Sequence, residues 1–144
     1  MRWLFALSLA LAITSRPAVA QEPATDNELF AGYCFGALLG SSMLFKITAL
    51  QDCGSDDACL KRREDGAKVQ KALEANQQRA SDYLRARRLF DERRNSTAWA
   101  GVEKAMDAAS ADFKACTDDG RGKNIDRAAC DRMNRCNDLS RLPI

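Results

Sequence analysis

The chain has no histidine. That removes the commonest general base, the commonest metal ligand and the one side chain whose ordinary pKa lies near neutrality. It has no Cys-x-x-Cys pair, which argues against a thioredoxin-like redox site and against thiolate metal ligation at the usual spacing. No Gly-x-Ser-x-Gly turn occurs, so the nucleophile elbow of serine hydrolases is missing. Carboxylates pair as neighbours at Asp56–Asp57 and Asp118–Asp119. Adjacent side chains do not converge on one substrate bond, as the paired acids of glycosidases must. Neither stretch has the alternating acids and glycine of a calcium loop. Taken together, these absences predict a protein that is not an enzyme and that carries no metal or cofactor. Strand signals are missing as well: no run alternates valine, isoleucine or threonine with polar residues, so no strand is expected. No internal repeat is visible. A Cys-x5-Cys spacing occurs twice, at Cys53/Cys59 and Cys130/Cys136, but its surroundings do not match.

What is present begins with a secretion signal. Arg2 gives a positive start, Trp3 to Ile13 is an almost unbroken apolar run, and Arg16-Pro17 ends it. Ala18-Val19-Ala20 fits the small-x-small cleavage rule, with cleavage expected after Ala20. The apolar run is shorter than the roughly 20 residues of a membrane span. No cysteine sits at the cleavage point, the first being Cys34, so a lipoprotein is not expected. Residues 1–20 are thus read as a cleaved secretory signal peptide and residues 21–144 as a single domain. Of the 22 basic and 20 acidic residues, the signal holds two bases and no acid, which leaves the remainder balanced. A balanced chain has no overall attraction to nucleic acid or to anionic membranes. Six cysteines in a short exported chain imply three disulfides and a periplasmic or secreted location.

Helix signals fill the rest. Asp26 or Asn27 is placed to cap a first helix running to about Asp52. Gly54 stops it, and Ser55 caps a long second helix, about Asp56 to Arg93, with Asp56 and Asp57 favourable at its start. The apolar positions of this second helix are Val69, Leu73, Ala80, Tyr83, Leu84 and Phe90. Asn95-Ser96-Thr97 opens a third helix to Cys116. Its stripe is Trp99, Val102, Met106, Ala109 and Phe113, with Glu103, Lys104, Asp107 and Asp112 outside. After a loop around Gly120, Asn124 caps a fourth helix, about Ile125 to Asp138, with Ile125, Ala129, Met133 and Cys136 buried. The predicted fold is all-α, a disulfide-stapled antiparallel bundle of about four helices.

Charge is segregated along it. Residues 21–60 hold one base and six acids, and 61–94 hold eleven bases and six acids. Residues 95–120 hold two bases and five acids, and 121–144 six and three. In an up-down bundle each helix would then lie beside neighbours of opposite sign, which disfavours wrong pairings. The arginines of the second helix, Arg79, Arg85, Arg87, Arg88, Arg93 and Arg94, are interrupted by Asp82, Asp91 and Glu92. They read as a solvated face with local ion pairs. Asn95-Ser96-Thr97 also fits the glycosylation sequon, but the signal is bacterial in style.

The first helix stands apart. Leu29 to Phe45 is 17 residues without a charge. Gly32, Gly36 and Gly40 fall four apart on it. Each glycine costs a helix about 1 kcal/mol relative to alanine, so three in a row predict a close helix–helix approach. The alternatives are burial in a soluble bundle, self-association, or membrane contact through residues 29–45.

Helix geometry also predicts the cysteine pairing. Cys53 and Cys59 meet across the first turn, and Cys116 and Cys130 flank the loop around Gly120. That leaves Cys34 to join Cys136. The function expected is protein–protein contact without catalysis, of a binding, inhibitor or adaptor type. The alternative is an envelope-associated or self-associating protein using the glycine-rich first helix. The partner's identity is not encoded in any motif.

Overall fold

Four side-chain caps mark where the helices begin. The computed structural model describes residues 22–49, 52–117 and 125–143. The predicted signal at 1–20 and the loop at 118–124, with Asn124, lie outside the described residues. Helix α1 spans Asp26–Ala49, α2 Asp57–Ala86, α3 Thr97–Cys116 and α4 Arg127–Asn134, and a 3-10 turn follows at Arg135–Asn137. There is no strand among the described residues. At the head of α1, Thr25 Oγ1 accepts the Glu28 N–H at 3.3 Å, and Glu28 Oε2 accepts the Thr25 N–H at 2.8 Å. This reciprocal pair is a capping box. It replaces the expected Asp26 or Asn27 cap. Asp56, Ser96 and Asp126 cap the other three helices through their side-chain oxygens.

Two helices end sooner than the sequence pattern suggests. Helix α2 stops at Ala86 rather than near Arg93. The Leu89 N–H reaches the Leu84 carbonyl at 3.1 Å, and the Arg88 N–H reaches that of Arg85 at 2.8 Å. Arg88 sits between them in the left-handed region, at φ 58°. This is a Schellman stop, in which a left-handed residue lets two N–H groups turn back onto the last carbonyls. Leu84 and Leu89 are both fully buried, so the apolar contact that accompanies the motif is in place. The remaining turns, Arg87 to Asn95, fold Phe90 back against Phe35 and Trp99, edge to face at 6.2 and 5.5 Å. Helix α4 is likewise only eight residues long. Ile125, expected in the core, lies before it and is 49% exposed.

Helix α1 is the centre of the molecule. It packs on both α2 and α3, whereas α2 and α3 share no comparable interface, and α4 closes against α3. The sense of each pairing follows from residue contacts. Lys46 meets Glu74 and Glu28 meets Arg87, so α1 and α2 run antiparallel. Position 32 lies against Val102, 36 against Met106 and 40 against Phe113, so α1 and α3 run parallel. The charge expectation therefore holds for α1 with α2 and for α3 with α4, but not for α1 with α3, both acidic. The glycines explain that pairing. A Cβ at Gly36 would stand 3.0 Å from the Met106 carbonyl oxygen, and one at Gly32 would stand 2.7 Å from Val102 Cγ1. Missing side chains let two backbones approach with no charge between them.

Gly36→Leu forces these backbones apart and should destabilise the protein by about 2 kcal/mol or more through overpacking. Urea unfolding measures this directly. A variant as stable as the parent would show that α1 and α3 separate easily.

Three disulfides fasten the bundle. The structure joins Cys34 to Cys136, Cys53 to Cys59 and Cys116 to Cys130. No described cysteine is free. This pattern suits an oxidising, extracytoplasmic compartment.

Candidate functional site

Two carboxylates missed by the sequence pattern organise one end of the fold. Glu28 lies in the first turn of α1. It is fully buried. Its Oε1 accepts from Arg93 at 2.7 Å and from Arg87 at 3.3 Å, while Oε2 holds the Thr25 N–H. Burial raises its pKa, but the Thr25 N–H and the two guanidiniums outweigh this, and the group titrates below the ordinary carboxylate value. The bond to Arg93 locks the Arg87–Asn95 turns against the head of α1. Two of the six arginines of the basic stretch are consumed in this way. Arg85 pairs with Asp82, and Arg88 with Glu92, on the surface.

Asp112 was expected on the outer face of α3. It is instead only 13% exposed. Arg132 of α4 holds it through two bonds of 2.6 and 2.7 Å, and the Tyr33 hydroxyl donates to it at 2.6 Å. This fork-to-fork geometry is the strong form of the pair. Arg132 leads in holding the Asp112 pKa down at about 2. Burial, then the hydrogen bond to Asp112 and the Asp112 charge, push the Tyr33 phenol well above its usual value. At neutral pH both carboxylate oxygens are occupied and the phenol keeps its proton. The trio clamps α1, α3 and α4 together.

A hollow of about 310 Å³ opens beside the trio, walled by Leu29, Phe30, Ala105 and Ala108. It shares Phe30 and Arg135 with a second hollow of about 490 Å³ against the last turns of the chain. Among the described residues, no three acidic or cysteine side chains converge as a metal ion requires.

No protein-family model, curated protein or solved structure matches this chain.

Gly32, Gly36 and Gly40 all face α3. The glycine row is covered by α3 and offers no free surface, whereas another face of α1 does. That face begins at Phe35, which packs on Phe90. It continues four and eight residues on at Leu39 and Met43, then Ile47. These three are 39, 58 and 68% exposed. The charge beside them, Lys46, is paired with Glu74 at 3.4 Å. By length and composition the Asp26–Ile47 stretch is sufficient to cross a membrane, although a third of it is buried inside the protein.

Proposed function

We propose that this chain is an exported, non-catalytic protein that works by contact with another protein through the exposed row Leu39, Met43 and Ile47. The observation that carries the reading is the division of labour on α1. Its glycine row is occupied by α3, while a second row of large apolar side chains faces outward at helical spacing. An exposed apolar row of this kind is a usual mark of an interaction surface. The occupant is an uncharged apolar face of a partner helix. Leu29 to Phe45 offers no charge to steer an ionic partner, and Lys46 is already neutralised by Glu74. Three disulfides and the signal-like start of the sequence support a periplasmic or secreted site of action.

Photo-crosslinking in the producing cell tests this. A crosslinker at Met43 should give one discrete adduct with a different protein, and a crosslinker at Lys104, exposed on α3, should not. The folded variant with Leu39, Met43 and Ile47 all changed to serine should lose binding to that protein by at least tenfold. An adduct of twice the chain's own mass would replace this reading with self-association. Equal adducts at both positions, or none at Met43, would end it.

A further inference from the structure

The two hollows that meet at Phe30 lie on a different surface from the apolar row and suit a small ligand. Their combined size falls within the range of ligand pockets, about 300–1,000 Å³. The inner hollow is walled by Leu29, Phe30, Ala105 and Ala108. Of its polar members, Tyr33 and Arg132 are committed to Asp112, and Arg135 stands at its mouth. A group entering there meets hydrocarbon, and satisfied polar atoms gain nothing from it. The part of a ligand that fills this space is therefore apolar.

The mouth has different chemistry. Arg135 stands where the two hollows join and makes no ion pair among the described residues. Asp138, in the outer hollow, accepts the Ser140 N–H at 3.0 Å and lies in the field of Arg141 and Arg79. Asp26, also in the outer hollow, sits in the first turn of α1, where the helix dipole favours a negative charge. The charged side chains that line the joined hollows are Asp26, Arg132, Arg135, Asp138 and Arg141, and Asp112 holds Arg132. Of these, Arg135 is the guanidinium that both hollows share.

We propose that this groove binds a small amphipathic monocarboxylate, its apolar body between Phe30 and Ala108 and its carboxylate on Arg135. Guanidinium and carboxylate match in geometry as well as charge. The hydrocarbon body supplies the burial, and the head sets the orientation at the open mouth. The proposal is independent of the protein contact assigned to Leu39, Met43 and Ile47.

Calorimetric titration of the mature, oxidised protein with decanoate below its micellar concentration tests the assignment. One decanoate should bind per chain. Decanol and decyltrimethylammonium should bind at least tenfold more weakly. Arg135→Glu is an exposed change, and it should weaken decanoate at least tenfold with no change in thermal midpoint. Ala108→Trp fills the inner hollow and should do the same. Met43→Ser should leave affinity unaltered. Absence of binding, equal affinity for decanol, or indifference to Arg135→Glu would overturn the proposal. Loss of binding in Met43→Ser would move decanoate to the apolar row and would overturn it equally.

Discussion

Replacing Cys34 and Cys136 together by serine should lower the unfolding free energy by about 4–5 kcal/mol. The bond spans 102 residues. In the chain-entropy model, a cross-link restrains the unfolded chain more as the loop it closes lengthens, and a loop of ~100 residues corresponds to about 4.7 kcal/mol. Both cysteines are fully buried. The serine hydroxyls would enter an apolar interior, which adds to the loss. The Cys53–Cys59 bond spans only 6 residues, so the same model assigns it about 2 kcal/mol. Urea titration of the two double-serine variants should therefore give well-separated midpoints, with Cys34→Ser/Cys136→Ser the lower. Coinciding midpoints would refute loop length as the source of the stability. For a domain whose total stability is on the order of 5–15 kcal/mol, loss of the long link leaves little margin.

Glu28→Ala should cost about 2–3 kcal/mol at neutral pH. Removing one member of a buried ion pair typically costs more, about 3–5 kcal/mol, because the other charge is stranded. Here the partners are partly wet: the Arg87 and Arg93 side chains are 49 and 31% exposed and recover some hydration. Glu28 titrates lower in the folded protein than its ordinary value. Its contribution is complete above the ordinary carboxylate range and fades as the pH falls through that range. Asp112, at about 2 against an ordinary 3.8, acts in the same direction over a window reaching lower. The parent protein should therefore lose stability steadily from pH 5 towards pH 2. The Glu28→Ala variant should start lower and fall less steeply. Parallel stability curves for the two proteins would show that Glu28 carries no pH-dependent stability.

The helical architecture was legible because periodicity, caps and breakers agree along most of the chain. Helix α3, Thr97–Cys116, begins within the Asn95-Ser96-Thr97 break and ends at Cys116 as the 3-4 stripe predicts. The end of α2 was hidden because the left-handed stop is an arginine, not the usual glycine. Nothing in a run of helix-favouring arginines signals that Arg88 adopts φ 58°. The glycine spacing announced a close approach but not its partner. That partner is α3, since the missing Cβ atoms face Val102, Met106 and Phe113. Glu28 and Asp112 escaped for a different reason. A charged residue in a first turn or on an outer face ordinarily faces water, and their partners lie 65 and 20 residues away. One local signal was available for Glu28: Thr25 three residues before it completes a capping box. The exposed row at Leu39, Met43 and Ile47 was invisible because the whole first helix is apolar, and periodicity cannot say which apolar face stays outside.

The disulfide pattern also fixes an order in time. Cys34 is the first cysteine to emerge as the chain is made, and its partner Cys136 is the last. The other two bonds close within 6 and 14 residues and need only their own segments. Cys34 meanwhile passes Cys53, Cys59, Cys116 and Cys130, each a competent but wrong partner. The chain must hold this thiol reduced, or exchange it back, until nearly the whole polypeptide is present. The bond that does most for the finished protein is thus the one its synthesis supplies last.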